Sequence, residues 1–272
     1  MSLLSFDTSS LLHWVLLLTL LALNLFLLFR HFRLKQEEGG ELFARMLGTN
    51  FFALYLLYRI KLQWINVTVY GRFPSIFGWI QWILIIFPFV IFLFSYLFRG
   101  PAKSLANKWN EIVFPLFVAA MPFGVYESNK LIYDVWIRKT PFLYSIFKPF
   151  YPFSYTYFDW LASVLIFLGD VIAFWALLYL RRSFSIMAEV RDLQLRGPYR
   201  WIRHPMYLGE ILATLGFCLL KFSWFNIGLT GLFVFLLILR AKIEENKISK
   251  YYPGYIDYQK QTGRLFPLLK IW

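Results

Sequence analysis

The stretch MYLGEILATLGFCLLKFSWFNIGLTGLFVFLLIL, Met206–Leu239, is 34 residues of almost unbroken apolar character. A helix that crosses a bilayer needs about 20 such residues. The stretch is therefore too long for one crossing and slightly short for two. The hexapeptide KFSWFN, Lys221–Asn226, interrupts it near the middle. We read a helical hairpin whose tip is that hexapeptide. A hairpin returns its two ends to the same side. The RHP before it (Arg203–Pro205) and the LRAKIEENK at its end (Leu239–Lys247) are thus expected to meet at one membrane face.

The rest of the chain supports a membrane setting. Of 272 residues, 59% are hydrophobic, 22% aromatic and only 16% charged. That is too much apolar surface for a water-soluble core. The net charge of +13 does not point to nucleic acid. The basic residues cluster at the ends of apolar runs, where they meet lipid headgroups and fix orientation, and no nucleic-acid-binding motif accompanies them. The single cysteine, Cys218, excludes an intramolecular disulfide. His13, His31 and His204 are far apart, with no HExxH or CxxC, so no metal site is expected. Glycine-rich phosphate or dinucleotide loops are absent. The first apolar run ends in RHFRLK rather than in a small-residue cleavage site, which reads as a retained helix and not a signal peptide.

Outward from the hairpin, Leu11–Phe29, Phe77–Phe98 and Phe158–Leu180 are long enough to span. Ile112–Tyr126 is shorter and holds Pro115 and Pro122, which predicts a kinked or partial span. Asn50–Val67 carries Arg59 and Lys61 near its middle. It is either an interfacial helix or a span whose basic residues line a polar cavity. Seven crossings result if it spans, with the N-terminus outside. If it does not, the N-terminus moves inside. Arg181–Pro205 and the tail after Arg240 are rich in Lys and Arg and are expected in the cytoplasm, with the loop Lys130–Tyr155 on the far side. Asn24 is expected to hydrogen-bond between helices. Asp170, in the middle of a span, is expected to face a cavity or a partner, and a structural pair with Arg59 or Lys61 is the favoured reading.

The fold class expected is all-α: a polytopic integral membrane helical bundle with a C-terminal helical hairpin and a cytosolic, cofactor-covering tail. Residues 1–155 form N-terminal transmembrane helices without an assignable motif. Residues 156–272 form the motif-bearing core.

Chemistry concentrates around GPYRWIRHPMYLGE, Gly197–Glu210. Pro205 suits the first position of a helix, since its missing N–H would be an orphan there. That makes His204 the cap residue. Tyr207 and Glu210, three apart, share a helix face, and Gly209 leaves room for a ligand or for another backbone. Arg200 and Arg203 add cationic donors. Two readings stand: a site for an anionic or polar small molecule, or a basic collar on phospholipid phosphates. Glu244 and Glu245 can hydrogen-bond hydroxyls or hold an ammonium or sulfonium, or can be a solvated helix end. The tail YYPGYIDYQKQTGRLFP, Tyr251–Pro267, reads as an interfacial anchor in which Tyr255, Tyr258 and Arg264 are candidate ligand contacts.

Taken in order, GPYRWIRHPMYLGE, the hairpin, EE and a Y-x-x-Y segment ending in RLFP resemble the isoprenylcysteine carboxyl methyltransferase and phospholipid methyltransferase superfamily. The resemblance covers about Ser183–Pro267. It implies an S-adenosylmethionine-dependent membrane methyltransferase whose cofactor reaches a pocket roofed by the tail from the cytosol. The superfamily's RHPxYxG positions fall on Arg203, His204, Pro205, Tyr207 and Gly209, and its paired acids on Glu244 and Glu245. The implied cofactor contacts are Gly197, Tyr199, His204, Pro205, Tyr207, Gly209, Glu244 and Glu245. The implied catalytic set is Arg203, Tyr207 and Glu210. The partners are membrane lipid and an amphiphilic methyl acceptor, either an isoprenylcysteine-like carboxylate or a lipid head group, with no metal and no nucleic acid. The expected location is a multi-pass one with a cytosolic catalytic face, of the bacterial inner-membrane kind. One departure is the acid that follows the glycine in YLGE. Related membrane reductases of sterols and steroids, which use NADPH, often carry an acid there. The adjacent EE and the compact tail favour the methyltransferase. A non-enzymatic lipid-binding protein is the third class.

Overall fold

The computed structural model describes residues 8–34, 39–68, 71, 73, 76–100, 102–131, 155–180 and 183–267. Residues 132–154, where the sequence is expected to form the far-side loop, the arginines at 181 and 182 and the last five residues lie outside the described residues. Among the described residues there are eight α-helices and only isolated β-bridges. They are α1 Thr8–Leu34, α2 Gly39–Thr68, α3 Ile76–Phe98, α4 Trp109–Leu131, α5 Tyr155–Leu180, α6 Pro205–Leu220, α7 Trp224–Tyr251 and α8 Tyr255–Gln261. The chain divides into two compact units, Met1–Pro101 and Ala102–Trp272.

In the first unit α2 packs on α1 and on α3. The ambiguous Asn50–Val67 is the C-terminal part of one continuous helix of 30 residues. Asn24 on α1 and Asn50 on α2 exchange amide hydrogen bonds of 3.0 and 3.1 Å. Arginines gather where α3 ends. Arg30 donates to the carbonyls of Leu97 and Arg99, and Arg45 donates to Arg99 O at 2.9 Å. A helix C-terminus presents unpaired carbonyls and the negative end of its dipole, which favour cations. Glu41 sits 2.9 Å from Arg99 Nε within this buried group.

In the second unit α5 and α6 touch backbone to backbone. A Cβ placed on Gly209 would lie 2.5 Å from Gly169 O, and one on Gly216 would lie 2.7 Å from Ala162 O. Small residues at a helix crossing permit this approach, which suits helices in lipid. Between α6 and α7 the turn is shorter than the hexapeptide read from sequence. Ser223 Oγ accepts from Asn226 N at 3.2 Å and caps α7, so Trp224–Asn226 are already helical. The tip is Lys221–Ser223. At its other end α7 runs past Leu239 to Tyr251 and carries both glutamates on its last turns.

Pro115 and Pro122 both lie inside α4, which nevertheless continues for 23 residues. Proline has no N–H to give the carbonyl four residues back. For Pro115 that carbonyl belongs to Glu111, and it accepts instead from Ala188 N at 2.9 Å. Three helices among the described residues are long and apolar enough to cross a membrane: Gly78–Phe98, Tyr157–Leu180 and Trp224–Tyr251. Leu17–Phe32 and Pro205–Leu220 are apolar but shorter. The protein is a multi-pass membrane protein.

Candidate functional site

His204 is the residue before Pro205 at the start of α6, as the RHP sequence dictates, but its side chain does not cap that helix. Its Nε2 lies in hydrogen-bond contact with Glu245 Oε1, at 3.0 Å. The same carboxylate accepts from Arg203 Nε at 2.8 Å, Arg264 Nη2 at 2.9 Å and Gln259 Nε2 at 3.2 Å. Arg203 also donates to the carbonyls of Gln259 and Thr262. The backbone joins in, with Arg203 N donating to Gly263 O at 2.9 Å and His204 N to Arg264 O at 3.0 Å. Glu245, Arg203 and His204 are all buried. The result is a latch that fastens the RHP turn, the end of α7 and the tail together. Burying charges is costly, and several hydrogen bonds on one carboxylate offset that cost.

Glu244 stands one residue away, turned by about 100° on the helix. Its Oε1 accepts from the Tyr207 hydroxyl and from Arg240 Nε at 3.1 Å. Its Oε2 has no protein partner among the described residues. The Tyr207 ring stacks on His204, with centroids 5.0 Å apart, and the Arg240 guanidinium lies 5.0 Å from its centroid. Arg240 is further held by Ile186 O at 2.8 Å.

Beside these residues opens a cleft of about 860 Å³, its mouth included. Its lining includes Ser185, Tyr199, His204, Tyr207, Glu244 and Tyr255. Tyr258, also on the wall, donates its hydroxyl to Tyr199 O. Burial pushes the Tyr258 hydroxyl up to about 12, and it pushes Tyr199 well above its ordinary value. Ser185 Oγ is shielded from solvent and has no hydrogen-bond partner among the described residues.

The residues singled out from sequence fall into distinct places. Tyr199, Arg203, His204, Tyr207 and Glu244 line the cleft. Glu245 does not; it is consumed by the latch. Gly209 faces the α5 backbone, so of the two uses left open by the sequence the structure shows close helix packing. Gly197 has φ +61°, a left-handed conformation that favours glycine, and a Cβ there would meet the Tyr179 ring at 2.5 Å. Its place is a turn and a packing contact. Pro205 opens α6. Glu210 is outside the cleft lining, and its Oε2 is shielded without a partner among the described residues. Sequence reasoning did not single out Arg240 or Ser185. Arg240 could have been found from its i,i+4 spacing to Glu244. Ser185 gives no such signal. Among the described residues no group of three or more His, Cys, Asp or Glu side chains could hold a metal ion.

Over residues 157–254 the sequence matches the family model described as phospholipid methyltransferase. The resemblance read from RHP, the hairpin and EE holds over that segment, which contains nearly all of α5 and the whole of α6, α7 and the turn between them. An uncharacterized protein of Schizosaccharomyces pombe is 33% identical over 101 residues. That alignment takes in 33% of this chain and 28% of the relative.

Proposed function

We propose, from the phospholipid methyltransferase family matched over residues 157–254, that this chain is a membrane-embedded, S-adenosylmethionine-dependent methyltransferase acting on an amphiphilic acceptor. The observation that carries the reading is the cleft itself. It opens beside helices long enough to span, its walls mix tyrosines with the half-used carboxylate of Glu244, and a buried ionic latch fixes Arg203 and His204 on its wall. The donor set fits the cofactor. Tyr199, Tyr255 and Tyr258 offer aromatic faces for a purine. Ser185 Oγ offers an unused donor and acceptor for a hydroxyl. Glu244 offers a negative charge for the ammonium of an amino-acid end.

When bound, S-adenosylmethionine supplies a methyl group already activated by its sulfonium. The protein's task is then mostly to hold donor and acceptor in line and to exclude water. Arg203, Glu245 and Arg264 fix the RHP turn to the tail, and so fix the wall that His204 and Tyr207 present. Arg240 and Glu244 hold the Tyr207 hydroxyl in place. Glu210, one turn deeper than Tyr207 on α6, has the free carboxylate oxygen that takes a proton if the acceptor is an amine. A carboxylate acceptor needs no such step. The Lys and Arg density of Ser183–Pro205 and of the tail supports a cytosolic cleft. The acceptor's apolar part then lies between helices, and its polar group reaches the cleft from the bilayer.

The test uses purified protein in lipid nanodiscs, radiolabelled S-adenosylmethionine and a membrane extract. Label transferred to an organic-extractable species supports the proposal. Tight NADPH binding without S-adenosylmethionine binding would overturn it in favour of a reductase. Binding of neither would select a lipid-binding protein.

A further inference from the structure

A second concavity of about 1040 Å³, its open side included, runs between α4 and α7. Each helix contributes a stripe at i, i+3, i+4 and i+7. From α4 come Asn110, Val113, Phe114 and Phe117; from α7 come Leu239, Lys242, Ile243 and Asn246. Such a stripe is one helix face. The two helices run in opposite senses here, since Glu111 near the start of α4 pairs with Lys247 near the end of α7 at 2.6 Å. The polar ends of both stripes therefore coincide. Asn110 and Asn246 lie at one end, Lys242 is the next polar residue inward, and Phe114, Phe117 and Leu239 line the remainder.

Those three polar side chains make no hydrogen bond or ion pair among the described residues, and all three are exposed. Lys242 keeps an uncompensated positive charge, because the neighbouring carboxylate, Glu111, is already taken by Lys247. The groove is distinct from the cleft. At about 100° per residue, Lys242 and Glu244 stand on nearly opposite sides of α7. With a 1.5 Å rise per residue, α7 is roughly 40 Å long and outreaches a hydrocarbon core of about 30 Å, so its C-terminal turns reach headgroup level. Exposed Trp109, at the polar end of the groove, suits that level too.

We propose that the α4–α7 groove binds an anionic membrane phospholipid, its phosphate at Lys242, Asn110 and Asn246 and the upper part of an acyl chain along Phe114, Phe117 and Leu239. The charge selects the occupant. A lone lysine with two amide donors complements a net-negative headgroup, whereas a zwitterionic one brings its own cation to the same place. One basic residue at a lipid surface favours an anionic lipid on the order of fivefold. This inference is independent of the methyltransferase reading, since the groove lies on the other face of α7 from the cleft.

The experiment measures quenching of Trp109 fluorescence in phosphatidylcholine vesicles doped with phosphatidylglycerol or phosphatidylcholine brominated on the acyl chain. The Trp109 signal is the difference between the unmodified protein and Trp109→Phe. Half-maximal quenching is expected at a several-fold lower mole fraction of the brominated anionic lipid. Lys242→Gln should bring the two lipids to equality, and Lys242→Arg and Lys250→Gln should keep the preference. Equal or absent quenching by both lipids in the unmodified protein, or a preference that survives Lys242→Gln, would overturn the proposal.

Discussion

Glu244 and Glu245 are identical neighbours that occupy opposite chemical situations. Both oxygens of Glu245 are engaged, by two arginines, a histidine and a glutamine, and the residue is buried. Glu244 uses one oxygen for Tyr207 and Arg240 and turns towards the cleft. A carboxylate already saturated by the protein has little to offer a ligand. A half-satisfied one at a cavity wall has one oxygen to offer. The difference separates what holds the site together from what the site can grip.

The largest effect should come from removing the saturated acid. Glu245→Gln leaves buried Arg203 and half-buried Arg264 without a counter-charge, which should cost about 3–5 kcal/mol. Thermal unfolding in detergent and protease sensitivity of the tail would register it. An unchanged midpoint with a protected tail would erase the distinction between the two glutamates. Glu244→Gln should weaken S-adenosylmethionine by about 1–3 kcal/mol as a charged hydrogen bond is lost and should destabilise less than Glu245→Gln, because it deprives one arginine rather than two of a counter-charge and that arginine, Arg240, keeps its bond to Ile186 O. Calorimetry on solubilised protein separates the two, and parallel losses of stability and affinity in both variants would merge them.

Glu210 sharpens the comparison from a third position, since its free oxygen lies outside the cleft lining. Glu210→Gln should slow turnover by about tenfold, roughly 1.4 kcal/mol in barrier, and leave cofactor affinity nearly intact. Single-turnover rates beside equilibrium binding would show this, and normal turnover would remove the residue from the site. The smallest effect belongs to Tyr258. Burial raises its hydroxyl from the ordinary 10.0 to about 12. The neutral form is the one favoured in the fold. Its contribution is therefore complete below pH 10 and is lost as pH rises through 12. Tyrosinate absorbance followed with tail protection should show the two changing together in that window. Tyr258→Phe should cost only about 0.5–1.5 kcal/mol through the lost bond to Tyr199 O.

Length arithmetic on Met206–Leu239 was enough to bring His204 and Glu245 to one face, and Pro205 was enough to start α6. These depend on chain geometry and local backbone rules. The short turn was less visible, because Lys221 and Asn226 made the whole hexapeptide look polar and masked the Ser223 cap. The division of labour between Glu244 and Glu245 was not legible. Adjacent helical residues point about 100° apart, and which of them meets the cleft depends on where Arg264 and the tail return. The use of Gly209 is equally hidden, because the residue packed against it, Gly169, belongs to a different helix. Non-local contacts of this kind leave no periodic trace. The start of α2 is hidden in the sequence, because glycine is a poor helix former and Gly39 and Gly40 open it, so the apolar stretch Asn50–Val67 marks only its C-terminal part.

Pro115 carries a lesson for redesign. Proline inside a helix is ordinarily a defect, unfavourable by about 3 kcal/mol relative to alanine, and a stability algorithm would replace it first. Here the defect is an attachment point. The carbonyl that α4 cannot use internally is the one to which Ala188 and the cleft wall are hung. A residue that heals the helix would supply a competing donor for that carbonyl and loosen the wall, so the substitution that most improves α4 as a rod would most impair it as a scaffold.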